Sequence, residues 1–271
     1  MKTWFITGTS RGFGREWTQA ALERGDTVAA TARNPDSLND LVERFGDRIL
    51  PLRLDVTDRA ADFAAVKTAH AHFGRLDVIV NNAGYGLFGA IEEVNEAEAR
   101  SQLETNLFGA LWVTQAALPH LREQGSGHIL QVSSLGGIGA FPLLGLYHAS
   151  KWGLEGFSEA LSQEVAPFGI KVTLIEPGGF DTDWADSSAV HAAPLPAYDS
   201  LRNARATRNA GVKMGDPAAS SAAILKLVDA ENPPLRLLLG TTATQVVPQI
   251  YERRLNVWAE WEDVARTADG T

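Results

Sequence analysis

Tyr147 and Lys151 stand four residues apart in YHASK, and Ser134 lies thirteen residues before the tyrosine. Residues four apart on a helix share a face. An ammonium beside a phenol favours the phenolate, so the spacing predicts a tyrosine pKa below its reference of about 10. A serine hydroxyl at a neighbouring strand end can hydrogen-bond the same substrate oxygen. Together the three groups can move a proton onto or off an alcohol oxygen. On spacing alone, a surface pair is the plain alternative, and Ser133 rivals Ser134.

A short apolar run, TWFIT, precedes the turn TGTSRGFG at 7–14. The turn holds Gly8, Gly12 and Gly14, with Ser10, Arg11 and Phe13 between them, and a helical pattern follows to about residue 23. Strand, glycine turn and helix in that order make a phosphate cradle. Glycine lets the backbone bend sharply and approach a pyrophosphate, and a helix N-terminus offers unpaired N–H groups. The spacing is GxxxGxG rather than GxGxxG, and a plain tight turn is the alternative.

The rest of the chain alternates strand and helix. Apolar runs at 27–31, 49–55, 76–82, 128–134, 170–176 and 235–240 read as strands. Several are nearly continuous, as parallel strands buried on both faces require. Helical patterns occupy 36–45, 58–73, 96–123, 147–167 and 217–229, the last opened by Asp216–Pro217 as N-cap and first residue. The expected fold is a Rossmann-like, doubly wound parallel sheet of about seven strands with helices on both faces. Ligands in such sheets bind beyond the carboxyl ends of the strands, where every motif above falls. No repeat or linker divides the 271 residues, so one domain is expected.

Composition narrows the function. The chain is 45% hydrophobic and 21% charged, which is ordinary for a globular protein. A net charge of −9 argues against nucleic-acid and membrane surfaces. With no cysteine, thiolate catalysis and disulfides are excluded. The six histidines form no close ligand cluster, so no catalytic metal is expected. No apolar leader with a cleavage site follows Met1 and no run reaches membrane-spanning length, so a cytoplasmic protein is expected.

TGTSRGFG, NNAG at 81–84, Asn106, Ser134, YHASK and PGGFDT at 177–182 occur in the order and spacing of the short-chain dehydrogenase/reductase family, which the chain resembles from about residue 3 to 182. Phe13 departs from that pattern, standing where the family usually has a smaller aliphatic residue. The resemblance implies that Tyr147 is the general acid in reduction and the general base in oxidation. It implies that Lys151 lowers the tyrosine pKa and holds the nicotinamide ribose, and that Ser134, favoured over Ser133 by its offset, polarises the carbonyl oxygen. Asn106 would sit at a helix irregularity and hold a water linking Lys151 to solvent. Asp55 and Val56 resemble the adenine-contacting pair. Asn82, Ala83 and Gly84 resemble the turn that lines the adenine ribose and holds the central sheet. Pro177, Gly178, Phe180 and Thr182 resemble the nicotinamide segment. His148, beside Tyr147 but turned about 100° around the helix, reads as structural.

The cofactor follows from the second strand. Ala32 stands where an NAD fold usually places an acid that would repel a 2′-phosphate. Arg33 follows it and Arg11 lies in the glycine turn, so two guanidiniums suit that phosphate and NADP(H) is expected. Two solvated arginines are the alternative.

Three function classes are in view. The favoured one is an NADP-dependent oxidoreductase acting on a carbonyl or secondary alcohol. The others are a non-catalytic NADP-binding sensor and a nucleotide-sugar epimerase or dehydratase. Against the sensor, Ser134, Tyr147 and Lys151 are all present. Against the epimerase, only about 90 residues follow Pro177. Segment 183–215 reads as a substrate loop that closes over the site. Its Trp184, Val190, Leu195, Tyr198 and Leu201 are expected to form one wall, and Phe141, Leu143, Leu144 and Leu146 the other, around a medium or bulky hydrophobic ketone or aldehyde. Arg202, Arg205 and Arg208 share a helical face that reads as solvated. Trp258 and Trp261 in the tail are expected to pack on the core. The resemblance implies that the long helices at about 96–123 and 147–167 pair with their copies across a two-fold axis, so a homodimer or homotetramer is expected.

Overall fold

The structure is a computed structural model and describes residues 1–182, 184, 188–209 and 211–270. In chain order its elements are β1 (Thr3–Ile6), α1 (Gly12–Glu23), β2 (Thr27–Ala32), α2 (Asn39–Phe45), β3 (Ile49–Arg53), α3 (Arg59–Phe73), β4 (Val78–Asn81), β5 (Leu87–Phe88), α4 (Glu96–Leu103), α5 (Gly109–Gln124), β6 (Gly127–Val132), α6 (Gly145–Val165), β7 (Ile170–Pro177), β8 (Val190–His191), α7 (Asp199–Asn209), α8 (Pro217–Asp229), β9 (Arg236–Leu239), α9 (Thr241–Glu260) and α10 (Glu262–Arg266).

Seven strands form one parallel sheet in the order β3-β2-β1-β4-β6-β7-β9. Strand side chains alternate between faces. Trp4, Ile6, Val28, Ala30, Val80 and Leu130 pack with Trp17 and Ala21 of α1 and Ile224 and Leu227 of α8. Phe5, Ala29, Ile79, Ile129 and Val172 pack with Val66 of α3, Val113 of α5 and Leu161 of α6 on the other face. Both faces are therefore apolar, which explains the continuous hydrophobic runs. From β1 the chain winds outward to β2 and β3, and from β4 it winds the other way to β9. The order reverses between β1 and β4, and a crevice opens over their carboxyl ends. Asn81 of β4 braces this junction, its side-chain amide donating to Thr114 Oγ1 (2.9 Å) and Gln131 Oε1 (3.0 Å). Arg236 holds the outer strand β9 to α6 through Glu155 (2.9 Å) and Glu159 (2.7 Å).

Three expectations are corrected. The helix expected over 96–123 is two helices joined by a π-helical turn, Glu104–Phe108, with Asn106 buried inside it. Segment 183–215 contains β8 and α7, and its residues 183, 185–187 and 210 lie outside the described residues. Trp258 and Trp261 do not pack on the core, being 64% and 61% exposed. The residues of α9 that are buried, Ala243 and Val247, lie in its first half, and its second half meets the loop at 138–141 through Ile250 and Arg254. Among the described residues, no helix is long and apolar enough to cross a membrane, and no group of three or more metal-binding side chains converges.

Candidate active site

The glycine turn is built as a cradle. Gly8 and Gly12 take left-handed backbone conformations, with φ of 69° and 55°, which side chains disfavour. A Cβ on Gly14 would collide with the Gly8 carbonyl oxygen, so α1 can start this close under the turn only as glycine. Arg11, the N-cap of α1, provides no side-chain cap, and the first turn of the helix holds no acid. Its N-terminal N–H groups and dipole are thus presented to an anion. Asn82 donates through Nδ2 to the carbonyls of Thr7 (2.9 Å) and Gly8 (3.0 Å), and the N–H groups of Asn82 and Ala83 donate to Thr7 Oγ1. These bonds tie the end of β4 to the cradle.

Ser134 and Tyr147 meet because β6 ends as α6 begins to return across the site. The Ser134 hydroxyl accepts from Gly136 N (2.9 Å) and lies close enough to the Tyr147 phenol to favour its ionised form. Ser133 faces the same cleft, but among the described residues its buried hydroxyl has no partner, and it exerts no such effect on the tyrosine. Lys151 Nζ donates to the Val132 carbonyl at 2.7 Å and lies 5.9 Å from the centre of the Tyr147 ring.

Tyr147 and Lys151 are only 6% and 5% exposed. Burial pushes the Tyr147 phenol up to about 12, despite the lowering effect of Ser134, and pulls the Lys151 ammonium down to about 8. The expected lowering of the tyrosine is therefore absent. Desolvation opposes charge on both groups, and the ammonium is committed to a backbone carbonyl rather than to the phenol.

Asn106 sits behind the cleft. Its Oδ1 accepts from Tyr85 N (3.0 Å), and its Nδ2 donates to Tyr85 O (3.0 Å) and Ser150 Oγ (3.2 Å). The side chain thus clamps the segment after Gly84, where a Cβ would come 3.1 Å from Asn106 Oδ1 and 3.7 Å from Lys151 Nζ. His148 accepts from Phe141 N through Nε2 (3.0 Å), and its Nδ1 bonds Gly136 O (2.9 Å). It therefore holds the loop between Ser134 and Tyr147.

A cleft of about 750 Å³ joins these parts. Gly8, Ser10, Arg11, Gly12 and Phe13 line it with Arg33, Asp55, Val56, Asn82, Ala83 and Gly84. Ser134, Tyr147, Lys151, Pro177, Gly178, Phe180 and Thr182 continue the wall. Gly14 and Asn106 act from behind it. Phe13 stacks on Trp17 (5.1 Å) and meets Phe180 edge-on (5.0 Å), so its departure from the family pattern fills space between the cradle and the segment after β7.

Of the nine residues expected in the apolar walls, two line the cleft. Trp184 and Val190 line the cleft, joined by Tyr85 and Met214, which sequence reasoning missed. Leu195, Tyr198 and Leu201 are not among the lining residues, nor are Phe141, Leu143, Leu144 and Leu146. Leu144 instead packs behind the site in a cluster with Phe88, Tyr147 and Trp184. Phe88 gave no signal in the sequence beyond its place after the NNAG turn. The arginines of α7 are not a solvated face either. Arg202 bonds Glu93 (2.6 Å) and Asp199 (2.7 Å), while Arg205 lines the cleft.

A parallel sheet whose switch point carries this cradle and this proton-handling pair defines a dehydrogenase of the dinucleotide-fold type. Residues 2–192 match the family described as short chain dehydrogenase. The chain belongs to that family and is an oxidoreductase of it. It is similar to the oxidoreductase BOA17 of Botryotinia fuckeliana (strain B05.10), with 46% identity over 248 residues covering 90% of each chain. A solved short-chain dehydrogenase from Streptomyces avermitilis is 41% identical, covers 99% of this chain and 100% of its own, and superposes with a TM-score of 0.92. An alcohol dehydrogenase from the archaeon Thermococcus sibiricus, solved in complex with 5-hydroxy-NADP, is 26% identical with a TM-score of 0.74 over 88% of this chain and 96% of its own.

Proposed function

We propose that the protein is an NADP-dependent carbonyl reductase that takes medium or bulky hydrophobic ketones or aldehydes. The observation that carries the reading is one cleft with the Ser134–Tyr147 pair near its apolar end and Arg11 and Arg33 beside its glycine cradle. The cradle fits a dinucleotide. Two positive-φ glycines, a helix start too close for a Cβ and two guanidiniums would hold its phosphates. Bound there, the reduced nicotinamide supplies a hydride to a carbonyl carbon. Tyr147, whose phenol keeps its proton across the neutral range, donates that proton to the carbonyl oxygen. Ser134 hydrogen-bonds the same oxygen. Lys151, tied to Val132 and 5.9 Å from the centre of the Tyr147 ring, would favour the phenolate through its charge and would hold the ribose hydroxyls with its remaining N–H groups. Asn106 positions the segment after Gly84 and supports a water path to Lys151. Trp184, Val190 and Met214 supply the apolar surroundings for the substrate.

The experiment follows NADPH absorbance against a panel of aromatic and steroid-like ketones, aldehydes, quinones and small hydrophilic carbonyl compounds. The expected result is turnover concentrated in the hydrophobic set. A uniform preference for small hydrophilic compounds overturns the substrate class.

A further inference from the structure

Segment 199–209 brings three arginines toward the substrate end of the cleft, and the structure treats them differently. Arg202 is neutralised by Glu93 and Asp199. Arg208 is exposed. Arg205 is half-buried and lines the cleft, with its guanidinium carbon 4.4 Å from the centre of the Phe88 ring. Phe88 packs against Trp184 at 5.2 Å, and Trp184 against Tyr147 at 4.8 Å. The guanidinium is therefore linked through two rings to the reacting phenol.

Among the described residues, no carboxylate pairs with Arg205. The charged neighbours that act on it and around it are of its own sign. Burial, and then Arg208, disfavours its charge, and Arg205 in turn disfavours protonation of His148. The aromatic contact uses the face of the guanidinium. It leaves the in-plane N–H donors unused, and those donors match the two oxygens of a carboxylate. A half-buried cation at the edge of an apolar cleft, with its donors open, is arranged for an anion that enters with the ligand.

We infer that Arg205 is a specificity-determining residue that anchors a carboxylate on the substrate, so that the preferred carbonyl compound is an amphiphile. Its apolar body lies along Trp184 and Val190, and its carboxylate lies one or two ring lengths from the carbonyl. The inference rests on the reductase reading above and narrows its substrate class. Arg202 takes no part, because its donors are already committed.

The test uses matched ligands on the full-length protein. Methyl ketones with one or two aromatic rings and a terminal carboxylate (4-acetylbenzoate and 4′-acetylbiphenyl-4-carboxylate) are compared with their methyl esters. A charge-assisted contact predicts kcat/KM higher for one of the acids than for its ester by roughly tenfold or more. Arg205→Met should abolish the difference through KM and leave turnover of the esters unchanged. Arg205→Lys should restore part of it. Equal kcat/KM for acid and ester in the parent protein overturns the anchor while leaving the reductase reading standing. Binding of biphenyl-4-carboxylate and its methyl ester, followed by tryptophan fluorescence, separates the two ideas. A preference for the acid that Arg205→Met removes supports the anchor even if no ketone is reduced, and no preference refutes it.

Discussion

Lys151 Nζ donates a 2.7 Å hydrogen bond to the carbonyl of Val132, the last residue of β6 and two residues before Ser134. The contact ties the helix that carries Tyr147 to the strand end that carries Ser134. It also fixes the ammonium in a buried place, where its charge is costly. Lysine here has a mechanical task beside its electrostatic one.

Tyr147→Phe keeps the ring packed against Trp184 and Leu144 and removes the hydroxyl that lies close to Ser134. Ketone reduction should fall by roughly 10²-fold or more, the usual scale of general acid help. Cofactor binding, measured by nucleotide fluorescence, should persist. Near-normal turnover in this variant would remove Tyr147 from the chemistry.

Arg11 and Arg33 both line the cleft, and the proposed reading gives them the 2′-phosphate of NADPH. One charge-assisted contact gives NADPH roughly a tenfold to hundredfold advantage over NADH in Kd. Ala32→Asp combined with Arg33→Gln should reverse the order. Calorimetric titration of both cofactors reads the result directly, and equal constants in the parent protein contradict it.

Burial lowers Lys151 to about 8 from an ordinary 10.5. Between those values the unfolded chain binds the proton and the folded one does not, so this group makes stability rise with pH across that window. Reduction should move the other way, declining above about pH 8 as the ammonium is lost. Lys151→Arg should carry the decline to higher pH, since a guanidinium keeps its proton. The pH profile of kcat/KM is the measurement, and identical profiles would exclude Lys151 as the titrating group.

Asp62 on α3 is buried, and neither of its carboxyl oxygens has a partner. Burial, with Asp58 and Asp55 nearby, pushes it up to about 8 from 3.8. The folded protein holds this proton where the unfolded chain has lost it, so stability falls as pH rises from about 4 to about 8. Asp62→Asn should raise the Tm by several degrees at pH 8 and by little at pH 4. A Tm difference that is flat with pH counts against the assignment.

Trp152 on α6 is 44% exposed, with Arg254 of α9 over its ring at 4.9 Å, and Trp258 and Trp261 in the tail are exposed as well. Large exposed aromatics of this kind mark contact surfaces. A homodimer or homotetramer is expected, with tryptophan emission shifting to the red on dilution. A monomeric mass by light scattering at micromolar concentration is the contrary result.

The sheet was legible because buried parallel strands write themselves as unbroken apolar runs, and Asp216–Pro217 marked the start of α8 as found. The cradle and the Tyr147–Lys151 pair were legible for a similar reason, since local spacing determines both. What could not be read is whatever depends on distant packing. The pairing of Glu93 with Arg202 spans 109 positions, so three evenly spaced arginines looked alike in the sequence. The π-helical turn at Asn106 arises inside a continuous helical pattern, so periodicity did not mark it and only the family resemblance pointed to an irregularity there. The tyrosine's raised pKa came from burial, which a four-residue spacing does not report.

The stretch after β7 is stitched down twice. Phe180 bridges Gly215 near its start, and Val190 and His191 pair with Leu87 and Phe88 further on. Between those stitches Trp184 packs on the Tyr147 ring (4.8 Å), and a Cβ on Gly12 of the cradle would meet Thr182 at 3.7 Å. One short stretch therefore touches cradle, proton donor and cleft wall at once. Natural divergence and protein engineering that alter the pocket through this stretch must retune all three together.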